Sequence, residues 1–154
     1  MGNYEDVKRR GKMKKILSLL MAVTVVFTCA GCGSDGVMTY AEYVAAELDT
    51  EVVIEAYVQA KQSWWDDKAT VYAQDEDGAY FLYDMACSEA DYEKLTTGTK
   101  IKVTGYKSEW SGEVEITDAT FEIEDGNYVA EAEDVTSLLG TDDLINHQNK
   151  FVSF

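Results

Sequence analysis

Two tryptophans followed by two aspartates stand at residues 62–68, QSWWDDK. A third tryptophan, Trp110, lies in SEWSG, again between carboxylates, Glu109 and Glu113. Indole faces stack on sugar rings and attract cations, and neighbouring carboxylates accept hydrogen bonds from hydroxyls and ammonium groups. The same side chains also anchor protein partners. Trp64, Trp65, Trp110, Asp66 and Asp67 are therefore candidate ligand-binding residues. The ligand would be a carbohydrate, a cationic small molecule or peptide, or an envelope protein. The competing reading is structural: Trp64 or Trp110 folds back to plug the core. Adjacent residues in extended chain point oppositely, so Trp64 and Trp65 cannot easily both turn inward.

Other reactive groups are sparse. Cys87 as a nucleophile needs a positioned base, and the chain has one histidine, His147, far along in the sequence. A Ser-His-Asp triad meets the same obstacle. DEDG (75–78) has clustered carboxylates but not the remaining spacing of a calcium loop, and reads as a turn. A carboxylate pair acting as a hydrolase stays open among so many acids. No glycine-rich phosphate loop appears. We therefore expect no catalytic residues, no metal set and no cofactor, so a binding module and not an enzyme.

The elements that must position these residues follow from periodicity. TYAEYVAAEL has Thr39 as N-cap and Glu42 three residues on, a capping box, with Tyr40, Tyr43, Val44 and Leu48 on one helical face. Residues 50–62 alternate as a half-buried strand, Val52, Ile54, Ala56, Val58 and Ala60 inward and Tyr57 outward. Residues 68–74 repeat this, with Tyr72 outward, and 79–85 form a more enclosed strand. Asp-Gly in DEDG suits a turn that needs positive φ. Residues 88–95 predict a two-turn helix capped by Ser88 and stopped at Gly98. Residues 99–110 alternate again with Tyr106 outward. In 113–124 the phase slips near Thr117-Asp118, the signature of a β-bulge.

The N-terminus reads differently. MKKILSLLMAVTVVFTCAGC (13–32) runs basic, apolar and small-residue in order, the layout of an export signal. Met13 is the expected true start. CAGC resembles a bacterial lipoprotein lipobox, with Cys29 standing where leucine is usual. The resemblance implies lipidation of Cys32, GSDG as a tether, and attachment to the outer face of the cell membrane. Residues 1–31 carry Lys8, Arg9, Arg10, Lys12, Lys14 and Lys15 against Glu5 and Asp6, so the remainder is more acidic than the net −16 of the whole 154-residue chain. Such a surface repels phosphate backbones, and nucleic acid is excluded as a partner. Past the anchor only Cys87 remains, so an apolar core and not a disulfide must hold the domain.

Three strands, a helix and two strands within residues 38–125 resemble the OB-fold, a five-stranded Greek-key barrel with its helix between strands three and four. The expected class is all-β with short helices, preceded by a short N-terminal helix. The wording of YVQAKQSWWDDKATVYAQDEDGAYFLYDMACSEADYEKLTTGTKIKVTGYKSEWSGEVEITDATFEI also resembles uncharacterised OB-fold lipoproteins of Gram-positive gut bacteria. It is similar, more distantly, to the bacterial OB-fold family of exported proteins. The expected divisions are 1–31 signal peptide, 32–37 lipidated tether, 38–125 OB-fold domain and 126–154 C-terminal extension. The extension resembles the start of a truncated second domain, and we expect it frayed or borrowed by the first. In OB-folds the loops joining strands one and two and strands four and five flank the binding face. This arrangement would gather Trp64, Trp65 and Trp110 at one rim, extended by Tyr57, Tyr72 and Tyr106, with Tyr80 or Tyr83 as further candidates. A purely structural envelope lipoprotein is the alternative.

Overall fold

The computed structural model describes residues 36–154. The signal sequence, the start at Met13 and the lipidated Cys32 lie outside the described residues. Five strands form the body: β1 (Glu51–Lys61), β2 (Lys68–Gln74), β3 (Ala79–Ala86), β4 (Thr99–Trp110) and β5 (Glu113–Asn127). They close in the order β1-β2-β3-β5-β4, with β4 returning to β1 and a parallel contact of β3 with β5 through Leu82 and Ile116. Helix α1 (Tyr40–Ala45) precedes β1, and α2 (Glu89–Tyr92) lies between β3 and β4. This is the OB-fold order. The barrel strands begin and end within a few residues of where alternation puts them, because one face of each must be buried.

That buried face is continuous. Val52, Ile54, Ala56 and Val58 of β1 meet Val71 and Ala73 of β2, Leu82 and Met85 of β3, Ile101 and Val103 of β4 and Ile116 of β5, with Leu95 beneath α2. The barrel closes by bulges. On β1, Val58 faces Ala73 while Ala60 faces Tyr72, so one extra residue enters and Ala60 turns outward instead of inward as its phase predicts. On β5, Thr120 faces Thr104 while Thr117 faces Tyr106, and the extra residue falls beside Asp118, whose φ is 49°. The predicted slip is there.

Opposite that second bulge sits Gly105. A Cβ on it would lie 2.7 Å from Ile116 Cγ2, 2.9 Å from Ala119 Cβ and 2.9 Å from the Thr117 carbonyl oxygen. Gly105→Ala is therefore expected to lower unfolding stability by about 2 kcal/mol through overpacking. A urea midpoint that does not move would contradict this.

Two local expectations need correction. The capping box forms as predicted, Thr39 Oγ1 accepting from the Glu42 amide at 3.3 Å and Glu42 Oε2 from the Thr39 amide at 2.9 Å. However, the helix ends at Ala45, and Val44 and Leu48 stay exposed while Tyr43 alone of that face is buried. Gly78 in DEDG has no positive φ. The turn is held instead by Asp75, which accepts from the amides of Asp77 and Gly78 and from the Tyr80 hydroxyl. Glycine is needed at 78 because the Tyr40 ring lies directly on it.

β5 runs to Asn127, three residues beyond the predicted end of the strand at 124. The segment after it lies along the barrel. It forms a parallel pair, β6 (Glu133–Asp134) with β7 (Val152–Ser153), and 3-10 turns at Thr136–Leu138 and Asp142–His147. Ala130 and Val135 are buried. Gln148 holds the β4–β5 turn, donating to the Gly112 carbonyl at 2.9 Å and accepting from the Val114 amide, and the Phe151 amide donates to Gln74 Oε1 at 2.9 Å.

Candidate functional site

On the outer face of β2 and β3, residues of alternate phase place Tyr72, Phe81 and Tyr83 side by side. Tyr72 pairs with Phe81 across the ladder, their ring centroids 5.1 Å apart, and Phe81 lies 6.2 Å from Tyr83. The β4–β5 hairpin adds Trp110 on one strand and Glu113 and Glu115 on the other, all on the same outer phase. Asn149 of the extension closes one end, its amide donating to the Val114 carbonyl. Together these residues line a groove of about 480 Å³. Its walls are aromatic and its floor carries two carboxylates.

The carboxylates carry the chemistry. Glu115 is 8% exposed, and none of the hydrogen bonds or ion pairs among the described residues ends on its side chain. Burial pushes its pKa above the ordinary carboxylate range, and the nearby charges of Glu113 and Asp84 push the same way. Glu113 Oε1 is buried without a hydrogen-bond partner. None of the ion pairs among the described residues reaches these two carboxyls: Lys68 pairs with Asp84, Lys94 with Asp91, Lys100 with Glu55 and Glu124, and Lys150 with Glu133. Trp110, 73% exposed, overhangs the carboxylates with its indole free.

The three indoles do not share this groove. Trp65 bridges to Lys68 across Asp66 and Asp67, whose φ values of 51° and 56° make a two-residue hairpin turn. A turn this tight keeps the tryptophans at the end of β2, where Lys68 faces Ala86, and does not reach across the sheet. Tyr72 lies four residues further on, about 13 Å along the strand. Trp64 is half-buried and its Nε1–H donates to the Cys87 carbonyl at 2.9 Å, tying this turn to the segment before α2. Trp65 is 80% exposed and outside the groove. Asp66 and Asp67 line a separate hollow with Lys68, Asp84 and Asp118.

The tyrosines also divide. Tyr72 is in the groove. Tyr57 and Tyr106 lie on the β1–β4 face instead, Tyr57 packed edge-on against Tyr128 with centroids 5.4 Å apart and Tyr106 opposite Glu51. Tyr80 is buried and its hydroxyl bonds Asp75, whereas Tyr83 joins the groove. Sequence reasoning missed Phe81, Glu115 and Asn149 as lining residues. For Phe81 and Glu115 a signal existed, since they are in phase with Tyr83 and Glu113. Nothing in the sequence pointed to Asn149.

The remaining reactive groups are separate. The Cys87 thiol is buried, donates to the Ser88 carbonyl, and is pushed up in pKa by burial and by Asp91, with Lys61 opposing. His147 sits on the extension against Glu133 at 3.2 Å.

Fold and groove together define a closed OB-type barrel with an acidic, aromatic-walled cleft across β2, β3 and the β4–β5 hairpin. Compared with known proteins, the chain matches no family model and no curated protein. Among solved structures it is similar to the hypothetical protein ygiW from E. coli, with 18% identity and a TM-score of 0.43 over 60% of this chain and 94% of that one.

Proposed function

We propose that this protein is a ligand-binding module of the cell envelope, exported by its N-terminal signal, anchored through a lipid on Cys32, and holding its ligand in the groove beneath Trp110. The observation that carries the reading is a pair of adjacent carboxyls with no donor among the described residues, one oxygen of them, Glu113 Oε1, buried, beside an exposed tryptophan on one concave face. A buried acceptor without a donor costs stability, and a ligand that brings a donor recovers that cost. The groove's size lies within the usual range of small-molecule sites, roughly 300–1,000 Å³. The strongly acidic chain and the basic-apolar-small order of residues 13–32 support placement outside the membrane.

The test compares two tryptophans. In a screen of oligosaccharides, amines and basic peptides read by indole N–H resonances, the signal of Trp110 should move and that of Trp65 should stay. Trp110→Ala is expected to weaken binding by roughly tenfold or more, while Trp65→Ala leaves it within about twofold. Equal losses for both variants would place the ligand elsewhere.

A further inference from the structure

We propose that the groove selects a positively charged group bearing N–H donors, a protonated primary amine or a guanidinium, seated on Glu113 and Glu115 beneath the Trp110 indole. This inference rests on the reading of the groove as a ligand site and names the chemistry of its occupant.

Charge separates cations from sugars here. A neutral sugar offers hydroxyl donors, but covering the groove with it strips water from two adjacent carboxylates and leaves their mutual repulsion unneutralised. A cation turns that repulsion into attraction. Hydrogen bonding then separates one cation from another. Glu113 Oε1 and the Glu115 carboxyl have no donor among the described residues, so an occupant that covers them and displaces their water is favoured only if it brings donors of its own. A quaternary ammonium has none to bring and leaves both acceptors unsatisfied. The walls complete the case. Tyr72, Phe81 and Trp110 present ring faces and edges that favour a cation with an alkyl stem over a compact hydrated ion. No group of three metal-ligating side chains is assembled among the described residues. A lysine or arginine side chain, or a free polyamine, has the right combination of apolar stem and charged head.

The experiment uses the full chain and follows the Trp110 indole N–H while adding spermidine, trilysine, triarginine, tetramethylammonium or maltotriose. Spermidine or the basic tripeptides should shift Trp110 saturably, with tetramethylammonium weaker. Saturation by spermidine marks a free amine as the source, and saturation by the tripeptides alone marks a basic segment of a partner protein. Glu115→Gln should weaken the bound cation about tenfold or more, the size of one lost charge-assisted hydrogen bond. Glu113→Gln should act in the same direction. Glu122→Gln, which removes an equal charge from exposed surface on the same strand, should leave binding within about twofold. Equal weakening by all three variants would reduce the effect to net charge and overturn the proposal. Binding of maltotriose without the cations would overturn it too, yet leave the groove a ligand site. A Trp110 signal unmoved by every probe would remove both readings.

Discussion

Lys107→Met is expected to destabilise the protein by about 3 kcal/mol, because it leaves the Val44 and Ala46 carbonyls without a donor, takes one of two donors from the Tyr43 carbonyl and removes a charged group from its partners. Lys107 continues the inward phase of Ile101, Val103 and Gly105 on β4 and is 7% exposed. Its stem runs past the Tyr43 ring, and its Nζ donates to the carbonyls of Tyr43 at 3.0 Å, Val44 at 2.8 Å and Ala46 at 2.8 Å. The Val44 and Ala46 carbonyls are ones the helix leaves open at its C-terminal end, while the Tyr43 carbonyl also accepts from the Ala46 amide at 3.2 Å. A six-residue helix has too few internal bonds to persist alone, so the lysine fixes α1 over the barrel mouth. Burial pulls the ammonium's pKa below the ordinary lysine range. Methionine preserves the stem volume, so the loss reports the three bonds and the charge and not a cavity. Guanidinium unfolding measures it. A change below about 1 kcal/mol would mean that water replaces the lysine there and that α1 holds its place by Tyr43 alone.

This lysine shows where the sequence is legible and where it stops being so. Alternation gives β1 to β5, and even the bulge at Asp118, because a strand with one buried face writes its phase into every second residue. The capping box of α1 is equally local, since Thr39 and Glu42 are three residues apart. The partner of Lys107 lies more than sixty residues away, and periodicity says nothing about which helix end it will meet. The tryptophans mislead for the same reason. Trp64 and Trp110 lie on the connections that flank an OB-fold's binding face, but a two-residue turn at Asp66-Asp67 and a hydrogen bond to Cys87 keep the first of them from the second. The face itself was visible as Tyr72 and Glu113. Phe81 and Glu115 share the phase of Tyr83 and Glu113, but that the two pairs meet at one groove depends on β3 and β5 lying side by side in parallel, a contact of one residue pair.

Glu113→Gln combined with Glu115→Gln should make the unliganded protein more stable at neutral pH while abolishing the saturable response to amines. Glu115 has a pKa raised by burial and by its acidic neighbours Glu113 and Asp84, so in the folded state it holds its proton to higher pH than in the unfolded chain. The stabilisation this brings is complete below the unfolded value of about 4.3 and is lost as pH rises through the folded value. At pH 7 the folded protein therefore carries a charge its surroundings disfavour. The groups bearing on it are Glu113 on the same strand, Asp84 on β3 and the Tyr43 ring of α1. Asp84 is partly neutralised by Lys68 at 3.3 Å. Relief of this repulsion should raise unfolding free energy at pH 7 by roughly 0.5–1 kcal/mol. The gap between variant and wild type should widen between pH 4 and pH 7. Saturating spermidine should stabilise the wild type and leave the variant unchanged, since only a state that binds the ligand gains from it. A gap that stays constant with pH would show that the Glu115 carboxyl keeps its water in the folded protein, and the groove would then have no unmet charge to offer a cation.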